Sequence, residues 1–196
     1  MSVPVSITPI NLRNMPWFNR PRENQSTEFS FTRFLTPYLA GYDGLAVFLD
    51  SDVLVTTDIA ELVNSVDLKN AVSVVKHDYE PKHDIKFLGN LQSKYPRKNW
   101  SSVMVFNCGH NACRKLTPEV VEKESGSYLH QFKWCPDDRI GDLDPCFNHL
   151  VGEYEPNPDA KIIHYTLGTP CFHGYEDQEY ASEWFAEFED MTSHAN

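Results

Sequence analysis

The sequence predicts an α/β fold in which a sheet is layered with helices. Segments of five or six mostly apolar residues, such as 45–49 and 101–106, have the length of strands. Segments with helix caps and helical spacing alternate with them, and this order is typical of α/β layered folds. A chain of 196 residues with 41% hydrophobic residues can build one core of ordinary domain size. We therefore expect a single domain spanning residues 1–196.

The net charge of −11 limits the classes of partner. Nonspecific binding to nucleic acid or to anionic lipid needs a basic face, so we expect neither. An acidic protein that handles a phosphate group must use a metal ion or a local basic cluster.

Targeting and cysteine patterns indicate a reduced compartment. No window approaches the ~20 apolar residues of a membrane span, and Met1 is not followed by a basic and then apolar signal. We expect no transmembrane segment and a cytoplasmic location, in the host cytoplasm if the chain is viral. The cysteines are odd in number and form no C-x-x-C pair, which predicts reduced thiols and no zinc ribbon.

The first forty residues predict one strand and one helix. Val3–Ile7 alternates as a strand does, and a proline near the start of a strand is tolerated. Ser26 or Thr27 would cap a helix that runs to Leu39. Pro37 inside this helix predicts a kink or an early stop.

The central motif is a strand that ends in two carboxylates. The five apolar residues Leu45–Leu49 predict a strand buried on both faces. Asp50 and Asp52 follow, and in a tightening loop they can turn toward one point. Convergent carboxylates suit a hard divalent cation that keeps positions open for water or phosphate. The alternative is a polar loop with two solvated acids.

The middle of the chain predicts a helix at 58–63 and strands at 71–76 and 101–106. The polar segment 77–99 between these strands is locally basic, and a loop of that length is either functional or a solvated surface loop. Asn107 and Gly109 follow the second strand. They would let the backbone approach a ligand closely, although a plain turn explains them too.

The last third predicts a capped helix, a loop, a strand and a second helix. Thr117 precedes proline at the first helical position. The segment 134–148 carries four acids in eight residues and is expected to be a solvated loop. A short strand at 161–165 ends in histidine, and residues 176–191 have the spacing of an amphipathic helix.

The chain resembles the nucleotide-sugar glycosyltransferases of the GT-A fold, over nearly its whole length from Val3 to Trp184. The closest likeness is to the family-eight-like branch and its bacterial and phage relatives. The resemblance rests on four segments in a characteristic order: Thr27-Glu28-Phe29 with Arg33-Phe34 and Pro37, Phe48-Leu49-Asp50-Ser51-Asp52, Val105-Phe106-Asn107, and His164-Tyr165-Thr166-Leu167-Gly168. It implies a Rossmann-like mixed sheet flanked by helices.

The resemblance also implies a metal site. Asp50 would hold the nucleotide ribose and reach the metal, and Asp52 would bind the metal and the diphosphate. His164 would be the third ligand, typically to manganese, with magnesium as the other candidate. Taken alone, His164 would more often be a buried core histidine.

Further roles follow from the same likeness. Asp137 and Asp138 would lie beside the reacting carbon and form the catalytic pair. The donor and its nucleotide would be bound by Arg33, Asp50, Ser51, Lys98, Asn107 and Gly168. For Arg33, a surface charge whose stem lies along neighbouring aromatic rings is an equal alternative.

Two departures from the family pattern bear on donor binding. The chain starts at what resembles the second strand, so the usual first β-α unit, which supplies much of the nucleobase pocket, would be missing or built differently. The family ending also carries a lysine or a glycine-proline-tryptophan, whereas this chain has Gly168-Thr169-Pro170-Cys171. Basic residues that could take over the phosphate contact are Lys82, Lys86, Arg97 and Lys98.

The resulting hypothesis is metal-dependent transfer of a sugar from a nucleoside-diphosphate sugar, expected to be a UDP-sugar, to a hydroxyl of a glycan or small-molecule acceptor. Family likeness implies a retaining hexosyltransferase that could also hydrolyse its donor. The alternatives are a non-catalytic nucleotide- or glycan-binding relative and a nucleotidyltransferase. An apolar sheet edge left exposed would favour a homo-oligomer.

Overall fold

A computed structural model describes residues 1–20, 30–78 and 96–193 of the chain. The expected helix caps Ser26 and Thr27 lie outside the described residues, as do the basic residues Lys82 and Lys86. The chain has a mixed α/β fold with mixed sheets and flanking helices, which confirms the predicted fold class.

The chain divides into two compact units. The first holds the described residues within Met1–Leu49, Asp58–Asp78 and Tyr95–Asp144, and the second holds those within Asp50–Thr57 and Pro145–Asn196. The strands are β1 (Leu45–Leu49), β2 (Val53–Val55), β3 (Val72–Val74), β4 (Val103–Asn107), β5 (Ile140–Asp142), β6 (His149–Leu150) and β7 (Ile162–His164). The α-helices are α1 (Thr36–Leu39), α2 (Ile59–Asn64), α3 (Pro118–Lys123), α4 (Gly126–His130) and α5 (Ala181–Ser193).

The first unit is built on a four-stranded sheet in the order β1-β4-β3-β5. β4 is antiparallel to β1 and β3, and β5 is parallel to β3. Two partners flank β4, and its residues Val103 to Phe106 are all buried. The aromatic side chains of Phe34, Phe106, Phe132 and Trp134 lie in the core of this unit, fully buried.

The prediction that the strand Leu45–Leu49 is buried on both faces was wrong. β1 stands at the end of the strand order, and Phe48 is its one buried residue. Leu45 is 38% exposed. The apolar run correctly predicts a strand here, but it does not predict how deeply the strand is buried. A strand at the end of the sheet leaves part of its side chains exposed.

Two further expectations about the first unit were wrong. Val3–Ile7 forms no strand, and Ile7 is 87% exposed, so the alternating pattern of this segment lacks the burial that stabilises a strand.

The acidic segment 134–148 is not a plain solvated loop, since β5 within it pairs with β3 through Ser73 and Gly141. Its acids point outward while Ile140 and Leu143 are buried.

Local helix signals were more reliable. The Asp58 carboxylate accepts a hydrogen bond from the Ala60 N–H at the start of α2, and the Thr117 hydroxyl caps α3. The helix expected to run to Leu39 consists, in its described part, of a 3₁₀ turn at Thr32–Leu35 followed by α1. Pro37 lies in the first turn of α1, where its missing N–H costs nothing.

The second unit contains a three-stranded sheet in the order β2-β7-β6. β7 is antiparallel to β2 and parallel to β6. Val151, Ile163 and Tyr165 form its buried cluster, against which Trp184 of α5 packs. α5 begins at Ala181, five residues later than the predicted start at 176. Within the described ranges, no helix has the length and apolar character needed to cross a membrane.

Candidate metal centre

Three side chains with metal-binding atoms converge in the second unit. One ligand atom from each of Asp50, Asp52 and His164 lies within 4.8 Å of the other two. Within residues 1–20, 30–78 and 96–193, this is the one group of at least three such side chains that meets so closely. The cluster brings together two distant sequence segments of the unit, because more than 110 residues separate its acids from its histidine.

The pairing of β2 with β7 explains why they meet. Asp50, Ser51 and Asp52 form the turn that leads into β2, and Val53, the first residue of β2, is in register with His164, the last residue of β7. In an antiparallel pair, the start of one strand lies beside the end of the other. The ladder continues past the strands, since the Tyr165 N–H donates to the Asp52 carbonyl oxygen at 2.9 Å.

The histidine of the cluster is buried, and its two aspartates are partly exposed. The side chain of His164 is 5% exposed, whereas that of Asp52 is 41% exposed. His164 Nε2 lies 3.4 Å from Asp52 Oδ1, and His164 Nδ1 lies 3.1 Å from Asn148 Oδ1. One nitrogen of the ring is thus held by an amide within the protein, and the other faces the carboxylate.

The donor set fits a divalent cation. Two carboxylates and one imidazole are oxygen and nitrogen ligands that suit Mn²⁺ and related divalent ions. A buried imidazole hydrogen-bonded through its second nitrogen is the arrangement usual for a metal-binding histidine. The accessible Asp52 leaves one side of the cluster open to a further ligand.

Gly168 lies in the loop that follows β7, four residues after His164. Gly168 has a φ of +144°, and a Cβ at this position would stand 3.1 Å from the Tyr175 ring. Its carbonyl oxygen accepts a 2.7 Å hydrogen bond from Gln178 Nε2. Glycine is therefore required here by both backbone conformation and space.

The other expected donor-binding residues belong to the first unit. Arg33 is buried, donates from Nη1 to the Ser101 carbonyl oxygen at 2.8 Å, and lies over the Phe48 ring. The alternative that Arg33 is a surface charge is therefore wrong. Asn107 Nδ2 donates to the Leu68 carbonyl oxygen at 2.8 Å. Lys98 is also buried, with 6% of its surface exposed.

Asp137 and Asp138, the expected catalytic pair, lie in a 3₁₀ turn of the first unit and are exposed. Asp137 Oδ1 forms a 2.7 Å ion pair with Arg97, and Asp138 lies 3.6 Å from Arg139. Both carboxylates thus have a guanidinium partner and remain open to solvent.

Asn148 is the site residue that sequence reasoning missed. It is fully buried and contacts the His164 ring. Its signal was the polar pair Asn148-His149 within the otherwise apolar run 146–151, because polar side chains inside a buried segment need partners. The partner of Asn148 depends on the pairing of β6 with β7, which cannot be predicted from the sequence alone.

No protein-family model matches the chain. Several solved structures, among them three glycosyltransferases, share its fold at low sequence identity. WbbM, a bifunctional glycosyltransferase in its apo form, matches with a TM-score of 0.58 and 19% identity over 84% of this chain. The glycosyltransferase GlyE of Streptococcus pneumoniae TIGR4 matches with 0.54 and 18% over 80%. The galactosyltransferase LgtC, in complex with donor and acceptor sugar analogues, matches with 0.50 and 14% over 91%.

These likenesses establish a glycosyltransferase fold of the GT-A type. The chain spans 42% of the GlyE chain, 36% of the WbbM chain and 72% of the LgtC chain. At identities of 14–19%, the match concerns architecture, since one fold hosts many functions.

One curated relative is far closer in sequence. Protein CDI of Arabidopsis thaliana is 44% identical over 198 aligned residues, which include 96% of this chain and 76% of that protein. Its name states no chemistry. At this identity and coverage, the chain belongs to the family of the Arabidopsis Protein CDI.

Proposed function

We propose that the protein is a metal-dependent glycosyltransferase that moves a sugar from a nucleoside-diphosphate sugar to an acceptor hydroxyl. The observation that carries the proposal is the convergence of Asp50, Asp52 and His164 within 4.8 Å on a fold of the GT-A type. The fold alone would leave the function open. Because the protein has a net charge of −11, a bound cation would help it to receive a negatively charged diphosphate.

Asp50, Asp52 and His164 would hold the ion, which we propose to be Mn²⁺ or Mg²⁺. Once bound, such an ion would act as a Lewis acid and stabilise the charge that develops on the departing nucleoside diphosphate. The side chain of Asp52 is 41% exposed and that of His164 is buried, so we assign Asp52 the position nearest the diphosphate. Asp50 would also contact the ribose.

We propose a UDP-sugar as the donor, a hexose as the transferred group and retention at the reacting carbon, on the family-eight likeness. Asp137 or Asp138 would stabilise the oxocarbenium-like centre, or act as a base if the enzyme inverts. Their exposed carboxylates are compatible with contact to a substrate. The proposed contacts to the donor come from Arg33, Ser51, Lys98, Asn107 and Gly168.

The test is donor hydrolysis and transfer with a panel of UDP-, GDP- and ADP-sugars, with Mn²⁺, with Mg²⁺ and with chelator. We expect Mn²⁺-dependent release of a nucleoside diphosphate, lowered at least about 100-fold by Asp52→Asn. Asp177→Asn, the same chemical change at an exposed acid of the same unit, is the control and should leave the rate unchanged.

Other outcomes would select another function. Nucleotide binding without turnover of any donor would indicate a non-catalytic nucleotide- or glycan-binding protein. Release of pyrophosphate would indicate a nucleotidyltransferase, an enzyme that also binds its metal ion through two carboxylates. Either result overturns the proposal.

We also propose self-association through the partly uncovered strand β1. Within the described residues β1 pairs with β4 on one side, and its Leu45 is exposed. An unpaired strand edge with apolar side chains favours pairing with a second chain. Light scattering at micromolar concentration should give a mass above that of one 22.5 kDa chain, and a monomer would contradict this.

A further inference from the structure

The two nitrogens of the His164 ring have different neighbours. Nδ1 lies 3.1 Å from the amide oxygen of Asn148, and Nε2 lies 3.4 Å from a carboxylate oxygen of Asp52. A neutral imidazole carries one N–H, so one of its nitrogens donates and the other accepts. Only the nitrogen without the proton can bind a metal ion.

We infer that Asn148 is a positioning residue that selects the Nδ1–H form of His164 and so keeps Nε2 free to bind the metal. The amide oxygen can only accept a hydrogen bond, so the Nδ1 facing it must donate. Nε2 then directs its lone pair toward the Asp52 carboxylate. His164 Nε2 and the Asp52 carboxylate are then two lone-pair donors that face each other, and a cation between them would bind to both. The inference rests on the proposed metal function of the cluster.

The backbone holds Asn148 in place for this contact. Asn148 ends the 3₁₀ turn Pro145–Asn148 and directly precedes β6, whose Leu150 is in register with His164. The Val151 N–H donates to the His164 carbonyl oxygen at 3.0 Å. The segment that carries the amide is therefore anchored to the residue that carries the ring.

Burial makes the choice of hydrogen-bonding partner consequential. Asn148 is 0% exposed and His164 is 4% exposed, so water cannot readily replace the amide oxygen. Without an acceptor there, the ring would place its proton on Nε2 and donate it to Asp52. That form closes the cluster with an internal hydrogen bond and leaves no lone pair for an ion.

The first experiment measures the tautomer directly. ¹⁵N NMR of histidine-labelled, metal-free protein, with His164→Gln for assignment, should show Nδ1–H in the wild type. Asn148→Asp keeps an acceptor and should retain this form, whereas Asn148→Leu, similar in size, should shift the ring to Nε2–H. A wild type in the Nε2–H form overturns the inference even if the leucine variant does not fold, and so does a leucine variant that keeps Nδ1–H.

The second experiment measures Mn²⁺ affinity by titration monitored with EPR. Loss of the hydrogen bond to a metal-binding histidine typically weakens metal affinity by about 10–100-fold, so we expect a loss of that size in Asn148→Leu. Asn148→Asp should bind at least as tightly as the wild type. Equal affinities in the leucine variant and the wild type would overturn the inference.

A matched control separates positioning from stability. Val151→Ala removes buried methyl groups from the same unit and leaves the side chains of Asn148 and His164 unchanged, so it should lower stability and change neither the tautomer nor the affinity. A Val151→Ala variant with the same loss of affinity as Asn148→Leu would reduce Asn148 to a structural role. A wild type that binds no Mn²⁺ at all would overturn the proposed function, while the tautomer measurement still decides the role of Asn148.

Discussion

The backbone N–H of Tyr165 donates to the carbonyl oxygen of Asp52 over 2.9 Å. This bond fixes the residue after one candidate ligand to the backbone of another. The hydroxyl of Tyr165 in turn donates to the Tyr180 carbonyl oxygen at 2.9 Å, just before α5 begins. Tyr165 thus connects the acidic turn to the end of β7 by a main-chain hydrogen bond and the C-terminal segment to it by a side-chain hydrogen bond, both within the second unit.

Replacing Asp52 with asparagine should weaken Mn²⁺ binding and lower donor turnover together. The change keeps the size of the side chain but removes the charge that a hard cation requires. We expect a loss of at least about 100-fold in kcat/KM at subsaturating metal, since removing one electrostatic contact to a transition state typically costs 10²–10³. The measurement is nucleoside diphosphate release against Mn²⁺ concentration, and an unchanged curve would contradict the metal role.

Binding of Mn²⁺ should raise the stability of the folded protein. A ligand that binds only the folded state at 100 times its Kd stabilises that state by about 2.7 kcal/mol. Chelator should remove this increment in the wild type, and the Asp50→Asn and His164→Gln variants should not show it. Thermal unfolding at several metal concentrations measures the effect. Equal metal-dependent shifts in both variants and the wild type would place the ion elsewhere.

Replacing Asp138 or Asp137 with asparagine should lower turnover without changing Mn²⁺ affinity. A positioned carboxylate that assists bond breaking typically contributes about 10²–10⁴-fold, so one of the two variants should lose at least 100-fold in kcat. Asp67→Asn, at an exposed acid of the same unit, is the control. If both variants keep the wild-type kcat, neither acid is catalytic.

Gly141→Ala should destabilise the first unit. A Cβ at Gly141 would stand 2.5 Å from Ser73 Oγ and closer still to Asn70 Nδ2, at the point where β5 pairs with β3. Overpacking of this kind typically costs about 1–3 kcal/mol in the free energy of unfolding. The control is Gly109→Ala, whose new Cβ would lie at an ordinary 3.7 Å from Tyr42. Denaturant unfolding measures both, and equal stabilities would refute the contact.

His130 should make the protein sensitive to acid. Burial, and then the nearby Arg33 guanidinium, lowers the pKa of His130 from 6.5 to about 3. Between these values the unfolded chain binds a proton that the folded chain does not, so stability falls as the pH falls. The expected slope is about 1.4 kcal/mol per pH unit from this one group.

The measurement for His130 is denaturant unfolding between pH 7 and pH 4. His130→Gln cannot titrate yet still offers an acceptor to the Ser101 hydroxyl, which lies 2.8 Å from His130 Nδ1. Its stability should depend less steeply on pH over this range. His173→Gln, at a histidine whose side chain is fully exposed, should keep the wild-type slope. Parallel slopes for His130→Gln and the wild type would contradict the prediction.

Local signals in the sequence predicted many elements because their causes are local. Thr117 followed by Pro118 marks the start of α3, and Asp58 marks the start of α2, since a cap and its N–H partner lie within three residues. The short strand that ends in His164 was predicted for a similar reason, because a compact run of β-branched residues precedes it. β5 was not predicted, because its acids suggested a loop and its pairing partner lies more than 60 residues away.

The amino-acid sequence by itself determined that this chain is an α/β protein with two acids at a strand end and a histidine at another, and it contained the likeness to a known fold. Only the tertiary structure decided that these three side chains meet, that β1 lies at the end of the sheet that the described residues form and that Asn148 contacts the ring. The physical reason is that a metal cluster and a buried hydrogen bond depend on the register between distant strands. Register arises from the packing and hydrogen bonding of the whole sheet, which no single segment of sequence records.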